Sequence, residues 1–163
     1  EHVVGLKYFN VFGPNEHHKG RMASVIPHFL AAAQKDGVVK LFKSSEPNLY
    51  ADGAQERDFI YVKDVARMTC ALLDIDAYGI FNIGRGVVGT WNDMAHGVFK
   101  ALGKPVNIEY VSMPADLVGK YQNHTLADMT KTKSVLKKHA ETMSLDESVQ
   151  DYLCNYLIPG KLW

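Results

Sequence analysis

Short apolar runs alternate with stretches of helical periodicity along this chain, and that alternation constrains its fold more than any other feature. Residues 3–9, 38–42, 58–62, 79–83 and 108–111 are brief and rich in β-branched and aromatic side chains, which predicts strands, those at 3–9 and 79–83 buried. Between them, apolar residues recur at three- and four-residue steps. Met22, Val25, Ile26, Phe29, Leu30 and Ala33 mark one helical face, with Ser24 as cap, Pro27 in the first turn and Gly37 at the end. Val65, Thr69, Leu72 and Leu73 mark a second helix over 64–74. Trp91, Met94, Ala95, Val98 and Leu102 mark a third, opened by a Thr90–Asp93 capping box and closed by Gly103. A short helix near 130–138 follows. A last one carries Leu145, Val149, Tyr152, Leu153 and Tyr156, capped by Ser144 or Asp146. Strands alternating with helices place the chain in the α/β class.

Composition matters here for what it excludes. At 163 residues, 47% hydrophobic and 22% charged, the chain is a globular domain or a piece of a larger one, not a disordered tail. Lys plus Arg (18) equals Asp plus Glu (18), so there is no basic excess to neutralise a nucleic-acid backbone, and no nucleic-acid partner is expected. No apolar run reaches the roughly 18 residues of a membrane-spanning helix, and no secretory signal is read at the N-terminus. Cys70 and Cys154 lack framework or metal spacing and read as reduced, buried thiols, so a cytoplasmic location is expected. The chain starts at Glu1 rather than Met and enters an apolar run at once, from which we expect a fragment lacking its N-terminal part.

Two long polar loops hold the candidate chemistry. Residues 10–21 follow the first strand and carry an amide, two imidazoles, an ammonium and a guanidinium (Asn10, His17, His18, Lys19, Arg21). This set suits an anionic or hydroxyl-rich ligand at the carboxyl end of a strand, although composition alone favours a solvated loop turning at Gly13-Pro14. Lysine also serves as a general acid or base when a dry site lowers its pKa. Residues 43–57 form the second loop, ending at Arg57. Arg57 can clamp a phosphate with its planar fork, or form a surface ion pair with Asp58. His28, beside Phe29, reads as a structural histidine or a ligand contact. Tyr121 can stack on a base or simply pack. No metal is expected, because His17, His18 and His28 lack partners at ligand spacing. No G-x-G-x-x-G fingerprint and no Tyr-x-x-x-Lys set occurs, and Gly84-Arg85-Gly86 alone is a weak phosphate-loop signal.

Three segments together carry a family resemblance. Lys7-Tyr8-Phe9-Asn10-Val11-Phe12-Gly13-Pro14, Arg57-Asp58-Phe59-Ile60-Tyr61-Val62-Lys63-Asp64-Val65-Ala66 and Gly79-Ile80-Phe81-Asn82-Ile83-Gly84 resemble the second half of extended short-chain dehydrogenases/reductases, the nucleotide-sugar epimerases and dehydratases. The run Glu16-His17-His18-Lys19-Gly20-Arg21-Met22-Ala23-Ser24 is similar to the H-K-G-x-M-A-S loop of the ADP-L-glycero-D-manno-heptose 6-epimerase branch. Leu41-Phe42-Lys43-Ser44-Ser45 and Gly119-Lys120-Tyr121-Gln122 resemble that branch too.

The resemblance implies a C-terminal, substrate-binding part with the late strands of an incomplete Rossmann sheet, the N-terminal dinucleotide-binding part lying upstream of Glu1. It implies NADP as cofactor, an ADP-sugar as substrate, a homo-oligomer, and inversion at C6 of the heptose through a transient ketone. Lys19 falls on the position of a catalytic base that also touches the cofactor, and Val11 on a nicotinamide-side contact. Asn10, Arg21, His28, Phe42, Lys43, Ser44, Ser45, Arg57 and Tyr121 fall on substrate contacts, with Phe42 stacking on adenine, Arg57 on the diphosphate and Tyr121 closing the site. Alone, the chain is expected to be inactive. A 4-epimerase or 4,6-dehydratase of the same family accounts for the shared segments but not the Lys19 loop, and a non-catalytic sugar-nucleotide-binding module is the third reading.

Overall fold

A computed structural model describes residues 3–162. In chain order the elements are β1 (Val4–Tyr8), β2 (Asn10–Phe12), α1 (Val25–Lys35), β3 (Val39–Phe42), β4 (Glu56–Arg57), β5 (Phe59–Tyr61), α2 (Val62–Ala71), β6 (Gly79–Ile83), β7 (Gly89–Thr90), α3 (Trp91–Ala101), β8 (Ile108–Val111), α4 (Thr130–Leu136) and α5 (Leu145–Tyr152). The strands pair two by two. β1–β6, β2–β5 and β3–β8 are parallel, and β4–β7 is antiparallel. Parallel neighbours need crossovers, and the helices supply them.

Strand β5 joins two cores. All three of its residues are buried, and successive strand side chains point to opposite faces. Phe59 and Tyr61 therefore enter one cluster with Phe12, Ile26, Leu30, Leu41, Met94, Val98, Phe99, Val149 and Leu153. Ile60 enters the other with Met68, Phe81, Ile83, Met129 and Leu136. Helix α3 lies against α5 closely enough that a Cβ on Gly97 would stand 2.6 Å from Val149 Cγ1, so glycine is required there.

Caps set the helix starts. Thr90 Oγ1 accepts the Asp93 N–H at 3.0 Å while Asp93 accepts the Thr90 N–H at 2.8 Å, as the sequence predicts. Ser144, not Asp146, caps α5, in a second box with Glu147. Ser24 precedes α1 as expected, but its hydroxyl makes no bond to its own helix; it donates to Glu16.

Several sequence expectations are corrected. Met22 is 84% exposed, because the helical face starts only at Val25 and residues 17–22 form a 3₁₀ turn. Leu73 is 83% exposed and Met68 takes the inward place, since α2 ends at Ala71 and a 3₁₀ turn rotates Leu73 outward. Cys70 on α2 and Cys154 in the π-helical turn Leu153–Leu157 that follows α5 are free but exposed, not buried. The strands at residues 3–9 and 79–83 are only partly buried, with Tyr8 and Ile80 exposed. Among the described residues β1 and β6 have only each other as strand neighbours. The long loops also contain structure, for β2 opens the first and β4 closes the second.

Asp58 resolves one of the open sequence readings. It is fully buried and does not pair with Arg57. Its carboxylate accepts the N–H groups of Arg85 at 2.7 Å, Gly86 at 2.9 Å and Ala127 at 3.1 Å, fixing two loops to the end of β5's lead-in. Asp58→Ala leaves one buried and two partly buried donors without this acceptor, so it should destabilise the fold by about 3 kcal/mol, read as a lower denaturant midpoint at unchanged slope.

Candidate functional site

Three adjoining cavities run across the face where β2 and β3 end. The first, ≈ 330 Å³, is lined by Val25, Phe29, Lys40, Leu41, Phe42, Trp91 and Tyr121. The second, ≈ 240 Å³, shares Val25 and Trp91 with it and adds Asn10, Val11, Phe12, Met22, Ser24 and Phe59 among others. The third, ≈ 300 Å³, shares Val11 and Phe12 with the second and ends at His18 and Lys19. Cavities that share wall residues form a row, here called the groove, aromatic at one end and cationic at the other. Its place outside the carboxyl ends of parallel strands is where α/β folds bind ligands.

The aromatic end is built by backbone pairing. Residues 123–125 run beside β4, with the Glu56 N–H donating to Asn123 O at 2.8 Å and the Thr125 N–H donating to Glu56 O at 3.1 Å. This pairing brings Tyr121 next to Arg57. The Tyr121 ring meets Phe42 edge-on, with centroids 6.4 Å apart. Trp91 is the first residue of α3, so the Thr90–Asp93 box fixes it in the groove wall.

Arg57 sits behind these rings and is only 7% exposed. Its guanidinium carbon lies 5.1 Å from the Tyr121 centroid and 5.7 Å from the Trp91 centroid. Nη1 donates to the Glu56 carbonyl at 2.8 Å, and Nη2 donates to the Gln122 carbonyl. Burial pulls the guanidinium below its ordinary pKa, opposed by Tyr121, and burial pushes the Tyr121 phenol up, opposed by Arg57. An arginine keeps its proton under such conditions. No carboxylate pairs with it among the described residues, so its charge is held by carbonyl dipoles and ring faces alone. Buried charge without a counter-ion is unfavourable, and an anion placed here would be drawn in.

The second loop is tied to the start of α3. Asn92 donates its side-chain N–H to Asp52 O at 3.0 Å, and the Ser44 N–H donates to Asp52 Oδ1 at 2.8 Å. Lys43, Ser44 and Ser45 follow Phe42 directly in the chain, and Ser45 Oγ accepts from Asn123 at 3.2 Å.

At the other end, Gly13 turns the chain over the β5–α2 junction. Its φ is +144°, and a Cβ there would stand 2.4 Å from Val62 Cγ1, so both conformation and space demand glycine. Lys19 is exposed, and among the described residues no partner holds its ammonium. Asn10 is exposed and accepts the Thr125 hydroxyl at 3.3 Å.

The structure thus brings Phe42, Arg57 and Tyr121 together, with Asn10, Val11 and Lys19 further along the same groove. Arg21 and His28 are exposed, and like Lys43, Ser44, Ser45 and Arg57 they line none of the three cavities. Sequence reasoning read Trp91 as core; the capping box one residue earlier could have placed it at a helix start facing a loop. It also passed over Glu16, a buried carboxylate inside a polar loop, for which no local signal exists.

The third cavity tests what part of a dinucleotide these residues can take. Lined by residues 11–16, His18, Lys19 and Val62, its ≈ 300 Å³ has room for one flat polar ring but not for a whole dinucleotide.

Residues 2–84 match the NAD dependent epimerase/dehydratase family, and the chain belongs to that family. Among curated proteins it is similar to ADP-L-glycero-D-manno-heptose-6-epimerase of Nitratidesulfovibrio vulgaris, 45% identical over 156 residues, covering 95% of this chain and 48% of the relative. The enzyme of the same name from Fusobacterium nucleatum is 42% identical over 160 residues, 94% of this chain and 48% of the relative. The chain spans about half the length of these relatives. Among solved structures, the Helicobacter pylori ADP-L-glycero-D-manno-heptose-6-epimerase superposes with a TM-score of 0.77 at 28% identity, over 95% of this chain and 44% of that one. A UDP-N-acetylglucosamine 4-epimerase from Methanobrevibacter ruminantium, in complex with UDP-N-acetylmuramic acid, also gives 0.77, at 25% identity over 97% and 46%. These matches agree with the α/β fold expected for the C-terminal portion of such an enzyme.

Proposed function

We propose that this chain is the substrate-binding part of an NADP-dependent epimerase that inverts C6 of ADP-glycero-manno-heptose by transient oxidation and re-reduction. The observation that carries this reading is the row of three cavities that share wall residues, with an aromatic pocket at one end, the buried Arg57 guanidinium against its Trp91 and Tyr121 rings, and Lys19 at the other end. Adenine is assigned to Phe42, with Lys43, Ser44 and Ser45 along its edge. Arg57 holds the diphosphate, matching guanidinium to phosphate geometry, and Tyr121 closes over it. Asn10 bonds a sugar hydroxyl, and Arg21 and His28 are assigned to the sugar nucleotide from outside the three cavities. Lys19 gives and takes the proton at the oxygen on C6, on the face opposite a second base. Bound NADP, with its nicotinamide end against Val11 and Lys19, supplies the hydride chemistry.

A 4-epimerase shares the fold at the same TM-score, so the fold does not separate the two activities. The Lys19 loop and the 45% identity to a heptose 6-epimerase favour C6. The full-length protein given ADP-glycero-manno-heptose should return a mixture of the two C6 epimers. Inversion at C4 of a UDP-sugar, with the heptose untouched, would replace this reading by the 4-epimerase. Tight ADP-sugar binding with no turnover of either would favour the binding module.

A further inference from the structure

We propose that Glu16 is a positioning residue that holds the Lys19 loop in its working shape; the inference rests on the assignment of Lys19 as the acid–base group. From Asn15 to Arg21 every side chain is exposed except that of Glu16, which is 4% exposed. Its Oε2 accepts the Ser24 N–H at 2.8 Å and its Oε1 accepts the Ser24 hydroxyl at 2.5 Å. Its own carbonyl accepts the Lys19 N–H at 2.9 Å. One residue thus ties the loop at Lys19 and at the start of α1. Ser24, the helix cap, gives its hydroxyl to this contact instead of to its helix.

The surroundings agree. The carboxylate lies at the N-terminal end of α1, where the helix favours negative charge. On the other side stands Tyr152 of α5, whose hydroxyl falls short of a hydrogen bond but is raised in pKa, first by burial and then by the Glu16 charge. A loop that only had to turn would be held at lower desolvation cost by an apolar side chain. Glu16 and Lys19 line the same cavity, and because no partner holds the ammonium among the described residues, the backbone bond from the Lys19 N–H to the Glu16 carbonyl is what fixes its place in the loop. Tying the loop at Glu16 reduces the conformations from which Lys19 must reach the reacting oxygen. A misplacement of about 1 Å costs on the order of 100-fold in rate.

The test uses the full-length protein with ADP-glycero-manno-heptose. Glu16→Ala should lower kcat per folded molecule about 10- to 100-fold with KM nearly unchanged. Glu16→Gln, which keeps the length and one acceptor, should recover most of that loss. The double variant Glu16→Ala/Lys19→Ala should be no slower than Lys19→Ala, because both act through one group. If Glu16→Ala does not fold, Ser24→Ala removes a single bond and should still lower kcat without raising KM. Wild-type kcat with only a lower melting temperature would overturn the proposal and leave Glu16 a structural role. Full turnover by Lys19→Ala would instead remove the Lys19 assignment itself.

Discussion

Lys19→Ala in the full-length protein should lower epimerisation by about 100- to 10,000-fold, the range for loss of a general acid–base group, while the cofactor stays bound. Three observations set this expectation. The ammonium is unpaired among the described residues, it lines the end of the groove, and the loop that carries it leaves the carboxyl end of β2. Few other contacts of the fold involve this side chain, so the melting temperature should stay within a degree or two. Stopped-flow or endpoint assay of C6 epimers gives the rate, and fluorescence titration gives cofactor affinity. Wild-type turnover in this variant would take Lys19 out of the mechanism.

The second large effect is on binding. Arg57→Ala should raise KM about 10- to 100-fold and change kcat much less, since a charge-assisted hydrogen bond contributes roughly 1.5–3 kcal/mol. The substitution also opens a hole between Trp91 and Tyr121 and removes a donor from the Gln122 carbonyl and one of the two donors of the Glu56 carbonyl, which keeps the Thr125 N–H. Arg57→Lys separates the two contributions. It keeps the charge and much of the volume but loses the planar fork, so folding should be largely restored and affinity should not. An unchanged KM in both variants would assign Arg57 to structure.

Where a signal was local, the sequence was a good guide. Strands β6 and β8 lie on the residues expected, and Thr90–Asp93 forms the capping box that its spacing predicts. Helix α1 starts after Ser24 because Pro27 fits only a first turn. What failed was exposure. Met22 and Leu73 extend helical apolar patterns on paper, yet a 3₁₀ turn at each helix boundary swings them outward. Cys70 and Cys154 sit on helices whose buried faces are taken by other residues. Periodicity tells which side chains are apolar, not which of them a neighbouring element covers.

The groove followed the same rule. Phe42, Arg57 and Tyr121 lie far apart in sequence and meet because residues 123–125 pair with β4, a long-range contact with no sequence signature. Arg57 and Asp58 are adjacent in sequence but serve opposite purposes: one faces the groove rings with no carboxylate, the other holds three backbone N–H groups in the core. Glu16 was invisible because a carboxylate in a run of His, Lys and Arg looks solvated until the fold buries it.

The central claim, C6 inversion by a protein with this groove, is tested most directly with ADP-glycero-manno-heptose bearing deuterium at C6 and the full-length protein in ordinary water. The account predicts product inverted at C6 with the deuterium still on C6, since the hydrogen that leaves returns to the same carbon from the other face. Unchanged C6 configuration, or inversion with the label washed out into solvent, would contradict it.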